Sequence, residues 1–179
     1  MDPLSLSRPT AEQWRTWREL RLAALADAPR AFGAALAVES AYDERQWRER
    51  LRPDRGVPII AWLGADPVGI IGCYRPQPEA VELVSMWVAP RARGRGVGDR
   101  LIAEVLSWAG PLPVGLWVVS DNLPARGLYE RNGFRATGQT QPYRDEPGTT
   151  ELRFIRSSGI TSPAAGSARP GTAADRPAS

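Results

Sequence analysis

Residues 81–109 decide the fold: VELVSMWVA (81–89), PRARGRGVG (90–98) and DRLIAEVLSWA (99–109). The first block is apolar on both alternating faces, the pattern of a strand covered on both sides. Strict alternation puts Val84, Met86 and Val88 on one face and adds a single carboxylate, Glu82, to it. Pro90 has no N–H to give a ladder and closes the strand. Past the glycines, Val97, Leu101, Ile102, Val105 and Leu106 fall on one helical stripe. The stretch therefore reads as a strand, an arginine- and glycine-rich turn and an amphipathic helix.

The turn carries the chemistry. Gly94, Gly96 and Gly98 allow a sharp bend and a close backbone approach to a ligand. The first N–H groups of the new helix lack internal acceptors. With Arg91, Arg93 and Arg95 beside them, they form a site for an anion, and phosphate suits it best. A Walker loop would end in Gly-Lys-Ser/Thr, and the chain contains no lysine. A dinucleotide fingerprint would need glycine where Asp99 stands. The pattern Arg/Gln-x-x-Gly-x-Gly/Ala is met by Arg93, Gly94, Arg95, Gly96, Val97 and Gly98. The segment thereby resembles the coenzyme A pyrophosphate loop of the GCN5-related N-acetyltransferase (GNAT) superfamily. Taken alone, the six residues read equally well as a basic surface turn; the flanking strand, proline and helix favour the loop.

Composition narrows the chemistry further. At 179 residues, with 42% hydrophobic and 24% charged residues, the chain suits one globular domain with a real core. All 23 basic residues are arginine, and histidine is absent. That removes histidine metal sites, Ser-His-Asp and Cys-His catalysis, and lysine Schiff bases. One cysteine, Cys73, makes neither an internal disulfide nor a thiolate metal site, so no metal is expected. A general base must be a carboxylate, a tyrosine or a relayed water. The pI of about 9.6 with a net charge of +3 is mildly basic. The one local basic cluster belongs to the turn, so nucleic acid is not an expected partner. No apolar run reaches membrane-spanning length and no signal peptide is read at the N-terminus, so the expected location is cytoplasmic.

In chain order, residues 4–8 alternate as a strand. Thr10 and Gln13 offer a capping box for a helix over 11–26. A second helical stretch covers 39–51, with a break near Tyr42 and Asp43. Residues 57–65 and 68–75 form a hairpin, and 114–119 another apolar strand. A helix over 122–131 stops at Gly133. Residues 134–137 and 150–155 close the sheet. The expected class is α/β, in the α+β sense of one mixed sheet of about seven strands with helices on both faces. This order is also that of the GNAT acyl-CoA N-acyltransferase fold, and the resemblance covers about residues 3–156. The run from Leu20 to Leu22, continued from Asp27 to Gly33, is similar to the opening of many bacterial members. The domain is placed at 1–156. Residues 157–179 hold almost no large apolar side chain and read as a disordered tail.

The run SDNLPARGLYERNGF (120–134) is similar to the superfamily's Asn-x-x-Ala-x-x-x-Tyr-x-x-x-Gly-Phe. Asn122 is a good helix N-cap in its own right. Tyr129 follows two turns later on the same face. The resemblance implies that Asn122 and Ala125 contact the pantetheine arm or the acceptor, and that Tyr129 protonates the departing sulfur. Glu82 on its apolar strand suits a general base, because desolvation raises a carboxylate's pKa. In the histone-acetyltransferase branch a catalytic glutamate precedes the loop glutamine by the same interval. A strand glutamate bound to water or arginine is the alternative, with a water relay at Ser85 as the base. Cys73 reads as a buried, inert thiol. Trp87 and Trp117 are candidates for the acceptor pocket.

What the resemblance implies is an acetyl-CoA-dependent N-acetyltransferase. The cosubstrate would lie in a V-shaped gap between strands 81–89 and 114–119. Backbone groups of Met86, Trp87 and Val88 would pair with it, and the turn 93–98 would hold the pyrophosphate. The acceptor would be a primary amine of a small molecule or a protein N-terminus, and a homodimer is the assembly kept open. The alternative is an acyl-CoA-binding sensor or scaffold of the same fold without turnover.

Overall fold

The computed structural model describes residues 3–32, 35–143 and 146–157. Except for Ser157, the expected tail lies outside the described residues. Strands β1 (Leu4–Ser7), β2 (Val57–Leu63), β3 (Asp66–Gln77), β4 (Ala80–Val88), β5 (Val114–Val119), β6 (Arg135–Pro142) and β7 (Thr150–Arg156) form one sheet. Its order is β1-β2-β3-β4-β5-β7-β6. Helices α4 (Val97–Ala109) and α5 (Leu123–Arg131) cover one face through Leu101, Ile102, Val105 and Tyr129. Helices α1 (Trp14–Asp27) and α3 (Glu44–Glu49) cover the other through Trp17, Leu20, Leu25 and Trp47, and the short α2 (Leu36–Ser40) packs on α1. The mixed sheet with helices on both faces is as expected.

Capping explains where the helices depart from the expected bounds. The Thr10–Gln13 capping box is present, but it opens a 3₁₀ turn over Ala11–Gln13, and the α-helix begins at Trp14. The second helical stretch splits. Asp43 accepts from the Gln46 backbone N at 2.8 Å, and the Gln46 side chain accepts from Asp43 N at 2.9 Å. This box starts a new helix and so ends the previous one.

The central strand corrects the alternation read from sequence. Ile70 pairs with Trp87 but Gly72 with Val84, so β4 has one residue more than β3 across this interval. The extra residue is Ser85, whose φ of 57° is the one positive value among the described non-glycine residues. Such a bulge flips the side chains beyond it. Val81 and Leu83 before it, and Met86 and Val88 after it, all pack on the α4 side. Trp87 goes to the α1 side. Glu82 and Val84 therefore do not share a face with Met86 and Val88.

β4 and β5 run parallel but pair only at Val81–Val114 and Glu82–Gly115. Beyond that point they part, while β5 stays fully paired with β7 on its other side. The V-shaped gap expected between these strands is present. Arg153 of β7 lies across β5 directly over Gly115, where an added Cβ would sit 2.2 Å from its guanidinium. The missing side chain lets Arg153 reach Glu82 on β4 with bonds of 2.6 and 2.8 Å.

Candidate active site

The splay opens a cleft of about 520 Å³ floored by β4 and β5, with the turn 93–98 at one end and α5 along one wall. Met86, Trp87, Val88, Arg93, Gly94, Gly96, Val97, Gly98, Asn122, Ala125 and Tyr129 all line it. Sequence reasoning had picked each of them out, and the fold brings them to one place. Arg95 does not line the cleft; it is exposed at the turn's lip.

Each part of the turn has its own function. Gly94 and Gly96 have φ of 73° and 75°, with no neighbour within 4 Å of an added Cβ. Gly96 is the N-cap of α4. The first helical bond runs from Arg100 N to Gly96 O at 3.1 Å, so the N–H groups of Val97 and Gly98 have no helical acceptor. Gly98 serves packing: an added Cβ would meet Met86 at 3.1 Å and Leu128 at 3.2 Å. It lets α4 approach β4 and α5 closely. Asp99 also lines the cleft, with its carboxylate taken up by Arg131 (2.8 and 3.1 Å) and Asn132 (2.8 Å). These partners, Arg131 first, hold its carboxyl below the ordinary aspartate range.

The arginines divide. Arg91, expected with the anion site, is bidentate to Asp66 at the β2–β3 turn and leaves it. Arg93 turns back into the cleft, where Nε donates to Val88 O at 3.0 Å and Nη2 to Asp27. The Trp87 indole N–H also donates to Asp27, at 2.9 Å. Hydrogen bonding from Trp87, joined by Arg93, holds the Asp27 carboxyl below its ordinary range. The stability this adds at neutral pH is lost as the medium is acidified through that lowered value. From sequence Asp27 is placed only in the run continued from Asp27 to Gly33, without a role at the site. Its place after the α1 apolar stripe, before Pro29, was the available signal.

Backbone direction sorts the strand residues. Ala89 N donates to Val68 O at 2.8 Å, so residue 89 faces β3. N–H and C=O groups alternate edges along a strand. Met86 and Val88 thus present theirs to the cleft, as the Arg93 bond to Val88 O confirms. The Trp87 backbone faces β3, where its O lies 3.0 Å from a Cβ built on Gly69. Trp87 therefore contributes its side chain to the wall and no backbone pairing.

Asn122 caps α5 by accepting from Ala125 N at 3.2 Å. Tyr129 is buried, edge-on to Phe134 at 5.8 Å. Burial pushes its phenol above the usual tyrosine range, so it keeps its proton at neutral pH. Among the described residues its hydroxyl has no hydrogen-bond partner. Cys73 is buried with its thiol pushed up to about 11 by desolvation, which fits the inert reading. Trp117 is half-buried, with the Arg153 guanidinium 5.3 Å from its ring.

Glu82 is the main correction at the site. Both its oxygens accept from Arg153, and it does not line the cleft. It is a paired carboxylate, not the isolated one the alternation suggested. Glu82→Gln should lower the melting temperature by several degrees, since weakening a mostly buried pair costs about 1–3 kcal/mol. The acidic limb of the kcat/KM pH profile should stay in place. A limb that moves, independently of the acceptor's own pKa, would return Glu82 to the role of base.

Fold and cleft define a class: an α/β protein whose parallel central strands splay into an open cleft that ends at a glycine turn and a helix N-terminus. The sequence model described as "Acetyltransferase (GNAT) family" matches residues 14–134, and the chain belongs to that family. It is 32% identical over 104 residues to the N-alpha-acetyltransferase RimI of Mycobacterium tuberculosis, over 58% of this chain and 63% of that protein. It is 29% identical over 108 residues to the L-amino acid N-acetyltransferase AaaT of Escherichia coli, over 56% and 67%. The chain spans 48% and 63% of the first two curated relatives it matches, so under two-thirds of either. Among solved structures, a GNAT-family acetyltransferase from Streptococcus pneumoniae superposes with a TM-score of 0.70 at 18% identity, over 88% of this chain and 100% of that one. A ribosomal-protein-alanine N-acetyltransferase from Brucella melitensis gives 0.70 at 19%, over 86% and 99%. At these identities the structures speak for the fold alone.

Among the described residues no group of three His, Cys, Asp or Glu side chains could hold a metal, and no helix is long and apolar enough to cross a membrane.

Proposed function

We propose that the protein transfers an acetyl group from acetyl-CoA to a primary amine. The observation that carries this is the cleft: N–H groups without helical acceptors and two positive-φ glycines at one end, the backbone of Met86 and the Val88 N–H along it, and a protonated tyrosine on its wall. The pyrophosphate sits on the N–H groups of Val97 and Gly98, with Arg93 released from Asp27 to meet it. The pantetheine amides pair with Met86 and Val88 as an added strand. The Val88 N–H polarises the thioester carbonyl. The neutral amine attacks that carbon, the C–S bond breaks, and the sulfur takes the Tyr129 proton. The amine nitrogen gives its proton to water passing Ser85, and the tyrosinate recovers one from solvent, so the step balances.

The relatives' names point to different acceptors, an alpha-amino nitrogen for one and L-amino acids for another. Family membership therefore supports the donor chemistry more closely than the acceptor. Release of free thiol from acetyl-CoA on adding amines tests the proposal; tight binding without amine-dependent thiol release supports the sensor alternative.

Asp27 gives a prediction of defined sign. It is a carboxylate on the wall of a cleft that takes a polyanion, and it holds the arginine the phosphates need. Asp27→Asn should tighten acetyl-CoA binding by about 0.5–2 kcal/mol, read by calorimetry. Weaker binding would mean Asp27 positions Arg93 for the ligand.

A further inference from the structure

We propose that a second cavity, on the opposite face of β4, holds the acceptor and selects amines that carry a carboxylate. This rests on the placement of acetyl-CoA in the cleft. The cavity, of about 360 Å³, lies on the α1 and α3 side of the sheet. Ser85 lines it, whereas the next residue, Met86, lines the cleft. Consecutive Cα atoms are about 3.8 Å apart, so the two spaces come nearest each other across one step of the strand, at the bulge. An amine held here lies next to a thioester held there.

Charge names the substrate class. Glu39 is fully buried and accepts from Arg21 at 3.0 and 2.9 Å and from Arg50 at 3.2 Å. Two guanidinium groups share this one carboxylate, which leaves one positive charge in excess. Arg55 adds none, because its guanidinium is matched by Glu49 at 3.2 Å. Arg21 is 6% exposed, and its remaining Nη1 points to Ser85 Oγ at 3.3 Å, on the cavity side. Arg21 and Glu39 match each other through two bonds, so the excess charge lies on Arg50, whose side chain is 36% exposed and lines the cavity, where an anion can meet it. Val84 and Tyr74, each 39% exposed, supply an apolar wall beside this charge. Cationic end, apolar wall and modest volume together fit an amino-acid-like amine.

The test pairs leucine with leucinamide, compared at equal concentrations of unprotonated amine. The acid should have at least ~10-fold higher kcat/KM, the scale of one charge-assisted contact. Arg50→Gln should shrink that ratio by raising KM for leucine. A second measurement needs no turnover. Leucine titrated into the protein should shift the amide signals of Ser85 and Arg50, and Arg50→Gln should bind it several-fold more weakly. Equal kcat/KM for acid and amide, or equal shifts from both, overturns the inference and leaves the acetyl-CoA cleft standing. No calorimetric binding of acetyl-CoA to the unmodified protein overturns the cleft reading, and leucine titration then still decides what the second cavity takes.

Discussion

Gly96→Asp should abolish acetyl-CoA binding in a protein that remains folded. Gly96 is the left-handed N-cap of α4, with open space around it, so an aspartate side chain fits. Strain at positive φ costs roughly 1–2 kcal/mol, and aspartate tolerates that region better than most residues. Its carboxylate, however, would stand where the pyrophosphate must sit. Two like charges about 4 Å apart at a protein surface repel by about 4 kcal/mol, close to 10³-fold in affinity. Calorimetry should detect no binding where the unmodified protein binds, with circular dichroism unchanged. Unchanged affinity would remove coenzyme A from this turn.

Tyr129→Phe should lower kcat by ~10²-fold or more, the usual worth of a general acid, with acetyl-CoA affinity nearly constant. The change removes only a hydroxyl that has no partner among the described residues, and it keeps the edge-on contact with Phe134. Stability should therefore hold, and the loss should lie in turnover. Burial raises the phenol's pKa, so Tyr129 carries its proton at neutral pH and has it to give as the C–S bond breaks. A fully active Tyr129→Phe would reduce α5 to a packing helix.

Both predictions concern residues that sequence alone picked out, because their signals are local. The glycine turn and the run from Asn122 to Tyr129 each lie within one strand-turn-helix or one helix, where spacing sets geometry. What the sequence hid depends on distant pairing. The bulge at Ser85 exists because β3 and β4 hold their register on both sides of it, and no residue type announces a serine at positive φ. Missing it put Glu82 and Val84 on the wrong face. The partner of Glu82, Arg153, lies 71 residues away and arrives only because position 115 is glycine. Asp27 and Arg93 are 66 residues apart. Glu39 is a fully buried acid that sequence position marks as an ordinary helix residue; it is buried because Arg21 and Arg50 converge on it. The buried ion pairs beside the acceptor side were thus invisible, while the anion turn was plain.

The most direct measurement follows the acetyl group itself. The protein is incubated with acetyl-CoA bearing an isotopically labelled acetyl group and a panel of primary amines, and the label is located by mass spectrometry. The account predicts label on the amine nitrogen, one free thiol for each acetyl transferred, and loss of both in Gly96→Asp. Label that stays on coenzyme A, bound in the cleft but never transferred to any amine, would contradict it.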